Sequence, residues 1–149
     1  MARANKFRRR RSLNLGQQVM AMKWMYPQFS EQWHRNRVSW TGTIQPTALS
    51  SQYTVRITYQ LDQHPVVDIV SPKLRPREDD ESISHTYPGD RPCLYHPRLR
   101  EWHSGLPIAE TIIPWLSLWL YFYEVWHATG EWLGKGEHPK AKGGKKVSS

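Results

Sequence analysis

A single cysteine, Cys93, sits among side chains able to tune its reactivity. Arg91 lies two residues before it and His96 three after, while Pro88, Gly89 and Pro92 stiffen the approach. The thiolate is the nucleophilic form of cysteine and nearby positive charge favours it, so this pattern suits a partly exposed nucleophile in an electropositive loop. Taken alone, a solitary cysteine is more often a small buried hydrophobe. Zinc is the competing chemistry, because His85, His96 and His103 all lie within ten residues of Cys93. Their spacing matches no standard module and only one thiol is present, so no metal is expected. A serine hydrolase would need a G-x-S-x-G strand-to-helix elbow, which is absent. The glycines Gly134, Gly136, Gly143 and Gly144 lack the preceding strand and following helix of a phosphate-binding loop.

The chain around these residues has 149 amino acids, 38% hydrophobic and 23% charged, which suits one compact soluble domain, and its helix and strand patterns make that domain α+β. One cysteine excludes an intramolecular disulfide, and the N-terminus lacks a signal-peptide pattern, so a reducing, cytoplasmic setting is expected. Eight Trp, seven Tyr and three Phe predict an aromatic-rich core. The net charge of +8 is unevenly placed. Residues 1–11 hold six positive side chains and no acid, and residues 135–149 hold a net +4, which leaves the middle at −2. Attraction to nucleic acid would therefore reside in the tails, and solvated, disordered ends are the simpler expectation for both. The expected organisation is a basic flexible N-terminus over 1–11, a single domain over 12–134 and a basic flexible tail over 135–149.

Several elements must position the cysteine. Ser12 is placed to cap a first helix whose Leu13, Gln17, Met20 and Trp24, with neighbouring Val19 and Met25, recur at helical spacing, ending at Tyr26-Pro27. Phe29 to Asn36 reads as a short extra turn or continued packing. Three β-rich runs follow, Val38–Ile44, Tyr53–Tyr59 and Val66–Val70, separated by short turn-forming segments that favour an antiparallel meander. The alternation Tyr53, Val55, Ile57, Tyr59 marks the buried face of the middle strand. From Lys73 to Arg100 the chain is irregular and carries the acidic patch Glu78-Asp79-Asp80-Glu81 and the cysteine. The last helix opens at Ser104-Gly105-Leu106-Pro107 and stops at Thr129-Gly130. Its apolar run is too short for a membrane span and is interrupted by Pro114, so it reads as a core helix with Trp115, Trp119 and Trp126 inside.

A leading helix, an antiparallel meander, a long cysteine-bearing loop, a tryptophan nine residues beyond it and then helices form the layout of ubiquitin-conjugating (UBC-fold) carrier enzymes. Longer phrases extend the likeness: Pro65-Val-Val-Asp-Ile-Val-Ser-Pro72, His85-Thr-Tyr-Pro-Gly-Asp-Arg-Pro-Cys-Leu-Tyr-His-Pro97, Trp102, Thr111-Ile-Ile-Pro-Trp115, Trp119-Leu-Tyr-Phe-Tyr-Glu124 and Thr129-Gly-Glu-Trp132. Over roughly residues 38–139 the sequence resembles the ubiquitin-conjugating-enzyme-like proteins of bacterial anti-phage operons, chiefly the cyclic-oligonucleotide-based signalling system, CBASS. It is most similar to the stand-alone carrier of the short type II operon.

The resemblance implies that Cys93 accepts the C-terminal carboxyl of a protein as a thioester and passes it to a nucleophile. Eukaryotic members stabilise the resulting oxyanion with an asparagine eight residues before the cysteine, and here that position is His85, a departure. Imidazole can donate a hydrogen bond, act as a base or pin the loop, and all three roles stay open. Tyr87, Tyr95 and His96 are candidates to line the groove for the donor tail, and Trp102 to bury its indole beneath the loop. The implied donor is the C-terminus of a cGAS/DncV-like nucleotidyltransferase, the acceptors are target proteins, and a separate activating enzyme is a possible third partner. No cofactor is implied, since the chain has no nucleotide-binding half. Two other readings remain: a non-catalytic UBC-fold adaptor holding the nucleotidyltransferase tail, and a basic-tailed nucleic-acid binder, disfavoured by the near-neutral middle.

Overall fold

A computed structural model describes residues 12–96 and 99–134; the two basic ends lie outside the described residues. Helix α1 spans Leu15–Met25 and precedes four strands, β1 (Ser30–His34), β2 (Arg37–Ile44), β3 (Tyr53–Gln60) and β4 (Val66–Ser71). A small hairpin follows, β5 (Thr86–Tyr87) with β6 (Arg91–Pro92), then a 3₁₀ turn at Ile108–Glu110 and helix α2 (Ile112–Thr129). The four long strands form an antiparallel meander in the order β1-β2-β3-β4. This is a mixed α+β architecture of the UBC type, with an N-terminal helix, a four-stranded sheet and a C-terminal helix.

One face of the sheet makes the core. Val38, Trp40 and Ile44 of β2, all four alternating residues of β3 and Val67 of β4 are buried. Registry pairs Trp40 with Ile57 and Val38 with Tyr59, so large side chains line up across strands on the buried face. Helix α2 adds Ile112, Ile113, Leu116, Trp119, Leu120, Tyr123 and Trp126. Trp119 and Trp126 are inside as expected, whereas Trp115 is only half-buried. Gly42 is required by close approach: a Cβ there would stand 2.5 Å from the Phe29 ring, which packs on the strand backbone.

Four sequence expectations change. Asn14, not Ser12, caps α1: its side chain accepts from Gln17 N–H at 2.8 Å while Gln17 Oε1 accepts from Asn14 N–H at 3.0 Å. Ser12 instead bonds Ser104 Oγ at 2.9 Å. The buried stripe of α1 is Gln18, Val19 and Met22, so Met20 and Trp24 face outward, Trp24 at 88% exposure. Gln18 determines that rotation, because its amide is fully buried and doubly bonded, donating to Leu106 C=O and accepting from Ile108 N–H, both at 2.9 Å. Residues 30–34 form an edge strand rather than a helical turn, paired through Glu31↔Trp40 and Trp33↔Val38. The last helix starts at Ile112, with Pro114 in its first turn, where proline's missing N–H is harmless; Pro107 precedes the separate 3₁₀ turn.

Gln18→Leu keeps the volume but leaves an N–H and a C=O buried without partners, and should lower stability by roughly 2–4 kcal/mol in denaturant titration. Trp24→Ala, by contrast, should change it by no more than about 0.5 kcal/mol.

Candidate functional site

The loop after β4 is stapled to α2. Tyr123 Oη accepts from Arg75 N–H at 3.0 Å and lies 3.2 Å from Arg75 C=O, which also meets His127 Nε2 at 2.8 Å. Further on, the β5-β6 hairpin turns through Pro88-Gly89-Asp90, with Gly89 at φ 85° and Asp90 at φ 56°. Arg91 fastens the hairpin to the sheet through an ion pair with Asp68 at 2.9 Å.

Cys93 follows this hairpin directly. Its N–H donates to His85 C=O at 2.9 Å, and the same carbonyl accepts from Trp119 Nε1 at 3.1 Å. His85 therefore joins the cysteine to α2 through its backbone, at a left-handed φ of 58°. Its ring lies 4.4 Å from that of Trp132, which also packs on Trp119, Phe122 and Trp126. The chain can fold back to place Trp132 there because Gly130 closes α2 at φ 84°, its N–H returning to Trp126 C=O at 2.8 Å. A Cβ on Gly130 would also stand 2.8 Å from the Arg77 guanidinium.

Tyrosines complete the setting. Tyr87 donates its hydroxyl to Tyr95 C=O at 3.2 Å, and that hydroxyl also hydrogen-bonds the Cys93 side chain. Tyr95 Oη lies 2.8 Å from His64 Nδ1, with the two rings stacked, and its ring approaches Trp115 at 5.9 Å. Trp102 is 3% exposed, donates to Thr111 Oγ1 at 3.1 Å and packs edge-on against Tyr59. His96 is half-buried, and its carbonyl accepts from Leu99 N–H at 3.1 Å. Thus Cys93, His85, Tyr87 and Tyr95 form one hydrogen-bonded group, and Trp102 adjoins it through the His64 ring.

The electrostatics depart from the electropositive loop expected above. Burial pushes the half-exposed Cys93 thiol up to about 11, and the Tyr87 hydroxyl only partly offsets this. Arg91 does not reverse the shift, being committed to Asp68. Burial, together with Cys93, likewise pushes Tyr87 up to about 12. At neutral pH Cys93 is a thiol. Among the described residues no three His, Cys, Asp or Glu side chains gather as a metal site, and no helix is long and apolar enough to cross a membrane.

A family profile described as type II CBASS E2 protein matches residues 18–139. The chain belongs to the type II CBASS E2 family. No curated protein matches it. The CBASS E2 assignment fits an antiviral-defence role and a partnership within that bacterial system. No periodicity marks the place of Trp132 in the site, because its ring partners lie between 6 and 47 residues away.

In the native CBASS E2 protein, iodoacetamide should alkylate Cys93 about a hundredfold more slowly at pH 8 than after unfolding, with a pH midpoint near 11 instead of 9. Tyr87→Phe should move that midpoint higher still, since it removes the stabilising hydroxyl. Because the unfolded thiol ionises first, Cys93's contribution to stability is complete below pH 9 and declines as pH rises toward 11.

Proposed function

We propose that this protein is a cysteine-dependent protein-conjugating transferase in which Cys93 carries the C-terminus of a cGAS/DncV-like nucleotidyltransferase as a thioester. Target proteins receive that carboxyl, and the transfer primes anti-phage cyclic-oligonucleotide signalling. The observation that carries this reading is the placement of the half-exposed Cys93 Sγ, held through its own N–H on His85 and facing the Tyr87 hydroxyl, in a chain of the E2 family.

Chemically, the Cys93 thiol gives up its proton, sulfur attacks an activated donor carboxyl, and the activating group leaves. That activation comes from a separate enzyme or a pre-formed bond. An acceptor amine then attacks the thioester carbonyl, a C–N bond forms, the C–S bond breaks and sulfur departs. Both steps pass through an oxyanion. His85, at the position where eukaryotic members place asparagine, is assigned as its hydrogen-bond donor or as the base for the amine, with its ring oriented by Trp132. Tyr95 and His96 are assigned to the donor-tail groove, and Trp102 to support of the site.

The adaptor reading draws on the raised Cys93 thiol, since a protein that only holds the nucleotidyltransferase tail needs no thiolate. Co-expression with the neighbouring nucleotidyltransferase, followed by gels with and without reducing agent, separates the two. The transferase reading expects a band at the summed mass that thiol removes, that Cys93→Ala abolishes and that Cys93→Ser renders thiol-resistant. His85→Ala should then leave the thioester but slow its discharge to amines, by about a hundredfold for a lost oxyanion donor. Co-purification without any adduct would establish the adaptor instead.

A further inference from the structure

The turn between β3 and β4 reaches the cysteine loop through one side chain. His64 stands in that turn, where Gln63 N–H returns to Gln60 C=O at 2.9 Å and Asp62 takes a left-handed φ of 63°. Pro65 after it is buried, and the His64 ring lies 6.2 Å from that of buried Trp102. The sheet thus sets the backbone here, while His64 itself is exposed and has no part in the chemistry assigned above. Its partner is Tyr95: Nδ1 lies 2.8 Å from the Tyr95 hydroxyl, and the two rings stack at 5.6 Å. The Tyr95 ring also meets Trp115 of α2 at 5.9 Å.

What Tyr95 presents in turn is a carbonyl. The Tyr87 hydroxyl donates to Tyr95 C=O at 3.2 Å and is also in hydrogen-bond contact with the Cys93 side chain. That hydroxyl has one proton to give, so it serves either the carbonyl or the sulfur. A neutral thiol makes little demand on it, whereas a thiolate is a strong acceptor. Forming the thiolate therefore draws the proton from Tyr95 C=O and leaves that carbonyl short of a partner, which opposes ionisation of Cys93. This opposition lasts only while the carbonyl stays within reach of Tyr87. The Tyr95 side chain, tied by its hydroxyl to His64, keeps it there.

We propose that His64 is a positioning residue for Cys93: its bond to the Tyr95 hydroxyl fixes the acceptor that competes with sulfur for the Tyr87 proton, and so holds the resting cysteine in its unreactive thiol form. This restraint acts on the resting cysteine, whether or not Cys93 goes on to carry an acyl group. Either form of the His64 nitrogen serves, since a bare Nδ1 accepts from the hydroxyl and a protonated one donates to it. Burial pushes the Tyr95 hydroxyl above the usual phenol range, so it keeps its proton while Cys93 titrates.

Alkylation of Cys93 by iodoacetamide in the full-length protein reads the effect, both as a rate at pH 8 and as a pH midpoint. His64→Ala should react about fivefold faster than wild type, the loss of one opposing hydrogen bond, with its midpoint below the wild-type value near 11. Tyr95→Phe removes the same bond from the other end and should match it, and the two together should do no more than either alone. His64→Asn places an amide where Nδ1 stood and should restore the wild-type rate. The decisive background is Tyr87→Phe, which has no proton to share: there His64→Ala should leave rate and midpoint unchanged. A merely loosened site would admit water and speed alkylation by the same factor in both backgrounds, and that result would overturn the proposal. An unchanged or slower rate in folded His64→Ala or in Tyr95→Phe would overturn it too, as would failure of His64→Asn to restore the rate. If His64→Ala does not fold, Tyr95→Phe in the two backgrounds decides the matter by the same outcomes.

Discussion

The His85 carbonyl is the point on which the site depends. It accepts from Cys93 N–H on one side and from the Trp119 indole on the other, so the loop cannot shift relative to α2 without breaking one of them. The residue holds a left-handed backbone, which costs a non-glycine side chain about 1 kcal/mol. Two hydrogen bonds to one carbonyl and the Trp132 ring over the imidazole offset that cost. Trp119 is itself 4% exposed and set by the core packing of α2, so the sheet-helix core fixes the cysteine through a chain of two bonds.

How much of this could be read from the residues differs by element, for a physical reason. Strand β3 was legible because its burial alternates strictly, and its side chains Tyr53, Val55, Ile57 and Tyr59 alternate with it. Strand β1 was not, because as an edge strand it buries no face and leaves no alternation to detect. The rotation of α1 was misread for a different reason: hydrophobicity favours Met20 and Trp24, yet the buried stripe is built around Gln18, a polar residue whose partners are 88 and 90 positions away. Sequence pattern weighs side chains by apolarity, and a buried, fully bonded amide is invisible to it.

The site shows the same division. Cys93, His85, Tyr87 and Tyr95 lie within eleven residues of each other, so their grouping followed from chain proximity and from family-like phrases. Trp132, 47 residues from His85, and His64, 31 from Tyr95, come in only through tertiary packing. The electropositive environment inferred for Cys93 failed on a similar point. Arg91 is near in sequence, but its guanidinium is drawn to Asp68 on β4, leaving desolvation as the main influence on the sulfur.

That desolvation has opposite consequences for the states of a carrier cysteine. A thiolate is charged and loses hydration in this setting, whereas a thioester is neutral and does not. On the transferase reading, the surroundings that hold the resting thiol up near 11 therefore impose no comparable penalty on the loaded form. The charge returns when an amine displaces the acyl group and sulfur leaves as thiolate. At that moment a donor beside the sulfur matters most, and the Tyr87 hydroxyl, which in the resting state donates to Tyr95 C=O, is in hydrogen-bond contact with it. A hydroxyl with two possible acceptors can turn from the carbonyl to the departing sulfur by rotating a single O–H bond, so the site can answer a transient charge without moving its backbone.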